Sequence, residues 1–67
     1  MFNANKLRAK IVENGYTSDR LAPLLGISKQ SMSAKMNGHR DFNAREIQAI
    51  KETLNLNQVE LCDIFFA

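Results

Sequence analysis

The sequence predicts an all-α fold in which five short helices form a single small domain. Apolar residues recur at three- and four-residue spacing in five segments, and no segment shows the two-residue alternation that is typical of a β-strand. Most of these segments begin at a serine, threonine or asparagine, and several are followed by glycine, which are common start and stop signals of helices. The chain has 67 residues, so we predict one domain over residues 1–67.

The first predicted helix runs from Asn5 to about Asn14. Leu7 and Ile11 lie four residues apart and therefore share one helical face, while most of the charged residues lie elsewhere around the helix. Gly15 follows directly, and glycine is the residue that most often ends a helix in the left-handed conformation. The pattern thus predicts a short helix that buries Leu7 and Ile11.

The second predicted helix spans about residues 18–25, and the hydroxyl of Thr17 or Ser18 is expected to cap its first turn. Gly26 is expected to end it. The predicted buried face consists of three leucines, namely Leu21, Leu24 and Leu25. Pro23 lacks the backbone N–H, and proline costs about 3 kcal/mol inside a helix. We therefore expect a kink or a loosened first turn rather than loss of the helix.

The third predicted helix begins after Ser28, whose hydroxyl is a good N-cap, and runs to Asn37 before Gly38. Met32 and Met36 lie four residues apart and are expected to face the core, because methionine fills irregular gaps there. The polar residues between them are expected on the other surfaces of this helix.

The fourth and fifth predicted helices begin with the same device. Asn43 is followed three residues later by Glu46, and Asn57 is followed by Glu60 in the same relation, which predicts a reciprocal capping box at each start. The fourth helix is expected to bury three residues: Ile47, Ile50 and Leu54. The fifth ends in the apolar run of Ile64, Phe65 and Phe66.

Composition excludes several classes of protein. No stretch approaches the roughly 18 consecutive apolar residues of a membrane-spanning helix, and the N-terminus lacks the pattern of a signal peptide. One cysteine, Cys62, forms no internal disulfide, and with the single histidine, His39, it offers too few ligands for structural zinc. Cys62 lies on an apolar stripe between Val59 and Phe65, so we expect it to be buried and inert. We expect a cytoplasmic protein without cofactor or metal.

The charge is divided unevenly along the chain. Residues 1–40 carry seven basic and two acidic side chains, whereas residues 41–67 carry two basic and five acidic ones. The first part therefore has a net charge of +5 and the second of −3. Such asymmetry favours a polyanionic partner for one side of the molecule.

Residues 17–38 have the pattern of a helix-turn-helix, in which a second helix can enter the DNA major groove. Ala22 permits close helix approach, Gly26 can adopt positive φ, and Ser28 caps the next helix. These elements, Leu21-Ala22, Leu25-Gly26-Ile27-Ser28 and Asn37-Gly38, resemble the Cro/C1-type (lambda-repressor-like, XRE) helix-turn-helix family, and most of all the small phage Cro-like and repressor proteins. The resemblance implies a five-helix lambda-repressor-like bundle with the helix-turn-helix at about 18–37.

The resemblance also implies which residues contact DNA. The recognition helix, about 29–37, is expected to contact bases through four residues: Lys29, Gln30, Ser33 and Ala34. Lysine donates to guanine O6 and N7, glutamine pairs with adenine, and alanine suits a thymine methyl. Phosphates are expected to be contacted by six residues: Thr17, Ser18, Asn37, His39, Arg40 and Asn43. Diffuse attraction is expected from four others: Lys6, Arg8, Lys10 and Lys35.

Two departures from the family pattern are visible. The family often has glutamine where this chain has Ser18, which implies a shorter contact. Many relatives hold a buried Arg–Glu pair at the positions of Ile11 and Met36, which an apolar contact replaces here. Such a replacement is compatible with stability, because apolar substitutes for buried ion pairs are often neutral or better.

The leading hypothesis is a sequence-specific transcription regulator, a phage Cro-like repressor that binds a two-fold double-stranded DNA operator through the major groove. The alternative is a protein-interaction module of the same fold, an antirepressor or antitoxin that binds another regulator. An enzyme is disfavoured, because no serine lies in a nucleophile elbow or beside a base. Ile64, Phe65 and Phe66 either close the core near Phe2 or form a homodimer contact.

Overall fold

A computed structural model describes residues 2–66 and contains five helices, with no strand in that part of the chain. The helices are α1 (Ala4–Glu13), α2 (Ser18–Leu25), α3 (Lys29–Met36), α4 (Ala44–Thr53) and α5 (Gln58–Phe65). The predicted all-α fold is therefore confirmed. The helix bounds agree with the predicted ones to within a residue or two, and α1 begins one residue early because Asn3 caps it.

Each helix begins at a polar N-cap whose side-chain oxygen accepts a hydrogen bond from the backbone N–H three residues later. The five caps are Asn3, Thr17, Ser28, Asn43 and Asn57. Reciprocal capping boxes are present at α4, with Glu46, and at α5, with Glu60. Both predicted boxes are confirmed, and they satisfy backbone donors that a helix start leaves free.

The turn between α2 and α3 depends on the left-handed conformation of Gly26. Its φ is +73°, a conformation that costs most other residues energy. Its N–H donates to the carbonyl of Pro23 at 3.1 Å, and the N–H of Ile27 donates to the carbonyl of Ala22 at 3.1 Å. Helix α2 continues through Pro23 to Leu25, as expected of a proline that does not break the helix.

The core collects apolar side chains from all five helices. Its largest fully buried members are Leu7, Ile11, Leu21, Met32, Ile50 and Ile64. Helix α2 packs against α3 and α4, and α1 packs against α5. Ile11 and Met36 both lie in this core, as the sequence predicts, whereas Ile47 is only half-buried at its edge.

Two predicted burials are wrong, for the same geometric reason. Leu24 is exposed because the buried face of α2 is formed by Leu21, Ala22 and Leu25, and Leu24 lies about 110° from the centre of that face at 3.6 residues per turn. Cys62 is also exposed. The buried face of α5 centres on residues 61, 64 and 65, and Cys62 lies about 110° from it.

Three phenylalanines join both ends of the described chain to the segment before α4. Ring centroids are separated by 5.5 Å for Phe2 and Phe42, 5.6 Å for Phe2 and Phe65, and 5.8 Å for Phe42 and Phe65. The N–H of Asn3 donates to the carbonyl of Ile64 at 2.6 Å. Ile64 and Phe65 are thus core residues, whereas Phe66 is 65% exposed.

Candidate nucleic-acid interface

Helices α2 and α3 pack against each other through a three-residue turn, so that each has one buried and one exposed face. On α2 the buried residues are Leu21, Ala22 and Leu25, and on α3 they are Met32, Lys35 and Met36. Met32, Lys35 and Met36 occupy positions i, i+3 and i+4, which form one side of a helix. The opposite side of α3 is therefore available to a partner.

The four residues expected to contact bases lie on or beside this available side. Lys29, Gln30 and Ser33 are exposed, and Ala34 is half-buried. The hydroxyl oxygen of Ser33 accepts a hydrogen bond from Asn37 Nδ2 at 3.4 Å. Their accessibility is what the sequence predicts, and their contact with DNA stays a prediction.

A shallow depression brings together predicted base-contacting and phosphate-contacting residues from α1, α2 and α3. It encloses about 160 Å³, and its lining includes Arg8, Ser18, Asp19, Lys29, Ser33 and Asn37. That volume is well below the roughly 300–1,000 Å³ of small-molecule sites. Two cationic side chains and one carboxylate surround the depression, which favours an anionic group over a neutral one.

The start of α2 holds the first two predicted phosphate contacts. Thr17 is exposed, and its Oγ1 accepts the N–H of Arg20 at 3.2 Å as the N-cap. Ser18 is half-buried at the first helical position. Helix starts present free N–H groups and a positive partial charge, so this position suits a phosphate oxygen.

The segment between α3 and α4 holds the other four predicted phosphate contacts, and all four are exposed: Asn37, His39, Arg40 and Asn43. Arg40 Nη1 donates to Ser31 Oγ on α3 at 3.3 Å. Asn37 Oδ1 accepts from Arg8 Nη2 at 3.4 Å, which links this segment to α1. Asn43 Oδ1 accepts the N–H of Glu46 at 2.8 Å, and its amide NH₂ is the group that could donate to a phosphate.

Two of the four lysines and arginines expected to add diffuse attraction do not fit that role. Lys35 is buried, and its Nζ donates to both carboxylate oxygens of Glu46, at 2.6 and 2.5 Å. Lys10 lies 3.5 Å from a carboxylate oxygen of Glu13 and also pairs with Glu60. The expectation fails because internal carboxylates neutralise these two lysines, which leaves Lys6 and Arg8 as exposed cations of that set.

The pKa values of three groups are shifted by these ion pairs. Burial raises the pKa of Glu46, but the hydrogen bonds from Lys35 and from the Asn43 N–H outweigh it, so the pKa lies below 4.5. The Asn57 N–H and the Lys10 ammonium lower the pKa of Glu60. The hydrogen bond to Glu60 in turn raises the pKa of Lys10 above 10.5.

The sequence pattern does not predict the buried Lys35–Glu46 pair, although it contains one signal of it. Lys35 shares the face of Met32 and Met36, and a lysine at a core position requires a buried partner. Within residues 2–66 no group of three or more histidine, cysteine, aspartate or glutamate side chains is placed to hold a metal ion. No helix of that part of the chain is long and apolar enough to cross a membrane.

The fold and the exposed face of α3 define a small all-α domain with a helix–turn–helix pair at its surface. The chain belongs to a family described as "Protein of unknown function (DUF739)", whose match extends over residues 1–67. A search of curated proteins found no match to the chain.

Proposed function

We propose that this protein is a sequence-specific DNA-binding transcription regulator that inserts α3 into the major groove of an operator. The observation that carries the proposal is the exposed surface of α3, where Lys29, Gln30 and Ser33 are accessible while Met32, Lys35 and Met36 are buried. A polar face of this kind on the second helix of a helix–turn–helix pair is what major-groove recognition uses.

The residues of this surface have distinct roles in the proposal. Lys29 donates to guanine O6 or N7, Gln30 pairs with the edge of adenine, Ser33 hydrogen-bonds a base, and Ala34 contacts a thymine methyl. The start of α2 and residues 37–43 contact the phosphates on either side of the groove and set the position of α3. The protein acts by occupying promoter DNA in the cytoplasm of a bacterial host.

We propose further that two copies bind a two-fold operator whose half-sites lie about 34 Å apart, one helical turn of DNA. Of the three residues considered for the dimer contact, Ile64 and Phe65 are buried within one chain, so Phe66 is the one that remains accessible. An exposed phenylalanine next to the apolar rings of Phe2 and Phe65 supports this assignment.

The first test is a fluorescence-anisotropy titration with DNA from upstream of the protein's own gene, beside a scrambled duplex, at about 50 and 200 mM salt. We expect the native DNA to bind about 10³-fold more tightly or better. Lys29→Ala with Gln30→Ala is expected to remove this preference while leaving weak binding to both duplexes. Equal, weak binding of the unchanged protein to both duplexes would exclude the proposal.

The matched control removes the same two side-chain types from helices outside the proposed interface. Lys51→Ala with Gln58→Ala deletes one ammonium group and one amide from α4 and α5. We expect the preference for native DNA to be retained, because neither residue lies on α2, α3 or the segment after α3. A loss equal to that of the Lys29 and Gln30 variant would attribute the effect to net charge alone.

A second candidate function, a protein-interaction module such as an antirepressor or antitoxin, is favoured by the apolar surface of α5. Val59 and Phe66 are exposed. A hollow of about 360 Å³ lies beside Phe66, and half of its lining residues are phenylalanines. Under this alternative, changing Phe66 abolishes activity while Lys29 and Gln30 are dispensable. Under the leading proposal, Lys29 and Gln30 are required whether or not Phe66 contributes to a dimer.

A further inference from the structure

Lys35 and Glu46 are the two buried charged side chains among residues 2–66, with 5% and 4% of their surfaces exposed. Lys35 Nζ lies 2.6 Å from Glu46 Oε1 and 2.5 Å from Oε2. Glu46 Oε1 also accepts the N–H of Asn43 at 2.9 Å, which completes the capping box of α4. One carboxylate therefore joins the last turn of α3 to the start of α4.

A second pair in the same protein shows that helix capping does not require this burial. Glu60 occupies the same position in the capping box of α5 and pairs with Lys10 of α1. The Lys10 and Glu60 side chains are 29% and 30% exposed, so this pair remains in contact with water. The burial of Lys35 and Glu46 therefore has a different origin from the capping of α4.

The buried pair closes the segment that carries the proposed phosphate contacts. Residues 37–43 connect α3 to α4. The segment begins two residues after Lys35 and ends at Asn43, the N-cap of α4, three residues before Glu46. Arg40 within the segment donates to Ser31 on α3 at 3.3 Å. The ring centroid of Phe42 lies 6.0 Å from Lys35 Nζ, at the outer limit of a cation–π contact. The segment is thus held to α3 at its middle by Arg40 and near its end by the contacts of Lys35 with Phe42 and Glu46.

Stability alone gives little reason for a buried ion pair here. The cost of removing two charges from water offsets most of their attraction, and apolar replacements of similar volume are often neutral or stabilising. A buried pair does, however, permit one geometry where apolar contacts permit several, since both carboxylate oxygens and the ammonium group must meet. That geometric restriction is the property that a DNA-binding surface built from two elements needs.

We infer that Lys35 and Glu46 are positioning residues of the DNA-binding surface, whose ion pair holds residues 37–43 at a fixed distance from α3. The phosphate contacts of the segment and the base contacts of α3 are then made in a single register on the duplex. This inference rests on the proposed function, because it assigns the pair a part in DNA recognition. Neither residue touches DNA itself.

The test is the double variant Lys35→Met with Glu46→Gln. Methionine keeps most of the lysine's apolar volume, glutamine keeps the oxygen that caps α4, and the net charge of the protein is unchanged. We expect affinity for the native upstream DNA to fall about tenfold or more. Binding to the scrambled duplex is expected to fall by less, because only the specific complex requires the base contacts and the phosphate contacts in one register. The slope of log affinity against log salt is expected to decrease by about 1–3, as phosphate contacts of residues 37–43 are lost.

The matched control is Lys10→Met with Glu60→Gln, which makes the same chemical change at the exposed pair. It is expected to bind both duplexes within about twofold of the unchanged protein, since the pair lies between α1 and α5. Circular dichroism establishes that each variant is folded at the assay temperature. If the Lys35 and Glu46 variant is not folded, Lys35→Gln with Glu46→Gln replaces it, because it also leaves the net charge unchanged and two neutral amides can hydrogen-bond each other at the buried site.

The outcomes separate this inference from the proposed function. If the unchanged protein does not distinguish the native DNA from the scrambled duplex, the proposed function fails, and the inference fails with it. If the unchanged protein distinguishes them and the folded Lys35 variant binds native DNA with the same affinity and salt slope, the positioning role is excluded while DNA recognition stands. An equal loss in the Lys10 and Glu60 control also excludes it.

Discussion

The carboxylate of Glu46 makes two kinds of interaction. It caps the start of α4, and it neutralises a buried lysine of α3. The capping interaction is local, since Asn43 and Glu46 are three residues apart, and the sequence pattern predicts it correctly. The second interaction depends on a partner eleven residues away, whose position is set by how α3 and α4 pack. A lysine is expected at the surface unless such a partner is known, so the sequence pattern predicts diffuse attraction for Lys35 and not burial.

The depressed pKa of Glu46 predicts that the protein loses stability in acid. The folded pKa lies below 4.5, so the unfolded chain binds more protons between the two values, and the free energy of unfolding falls as the pH falls through that range. Glu46→Gln removes this dependence. We expect the variant to be less stable than the unchanged protein at pH 7, with the difference shrinking as the pH is lowered from about 5 to 3.

Urea unfolding followed by circular dichroism across that pH range measures the effect. Glu52→Gln is the matched control, because Glu52 is an exposed carboxylate on the same helix that accepts a hydrogen bond from Gln48. Its stability curve is expected to run parallel to that of the unchanged protein. Parallel curves for Glu46→Gln as well would show that the buried pair is not the source of acid sensitivity.

At the scale of the helices, starts are predicted well because the signals for them are short-range. A cap and the N–H that it accepts are separated by three residues in every case, so the side chain and its partner can be recognised together in the sequence. The exposed positions of the candidate site follow in the same way, because Met32 and Met36 fix which side of α3 is buried. Leu24 and Cys62 lie about 110° from the centre of the buried face of their helices, and the sequence pattern alone does not show where that centre lies.

Helix α2 carries a destabilising residue whose replacement should strengthen the fold. Pro23 lies at the sixth position of α2, it is exposed, and it cannot donate to the carbonyl of Asp19. Pro23→Ala restores that donor, and we expect the free energy of unfolding to rise by about 1–3 kcal/mol. Thermal unfolding measures the change, with the exposed neighbour Leu24→Ala as a control expected to shift stability by about 0.5 kcal/mol or less. A lower melting temperature for Pro23→Ala would contradict this account.

At the scale of the whole molecule, the contacts between distant residues are the ones that the sequence predicts least. Phe2 stacks on Phe65, a contact that the sequence offers as one of two alternatives, and Lys10 pairs with Glu60, which the sequence does not predict. Periodicity gives the face on which each residue lies but not the residue that covers it. The DNA partner is likewise inferred from an exposed surface. A helix–turn–helix pair specifies how a helix enters the groove, but the exposed side chains can pair with bases in several different sequences. The operator sequence therefore does not follow from these residues.

The aromatic cluster gives the clearest prediction at this scale, because two adjacent phenylalanines differ in burial. Phe65 is 9% exposed and contacts Phe2 and Phe42, whereas Phe66 is 65% exposed. Phe65→Ala is expected to cost about 3–5 kcal/mol of unfolding free energy, a large part of the stability of a small domain. Phe66→Ala is expected to cost about 0.5 kcal/mol or less within a single chain.

Urea unfolding at two protein concentrations distinguishes the fold from self-association. If Phe66 contributes to a dimer, the unchanged protein becomes more stable as its concentration rises, and Phe66→Ala removes that dependence without changing the stability of the monomer. Phe65→Ala lowers stability at every concentration, because the loss lies inside one chain. Equal costs for the two substitutions at low concentration would contradict the assignment of Phe65 to the core and of Phe66 to the surface.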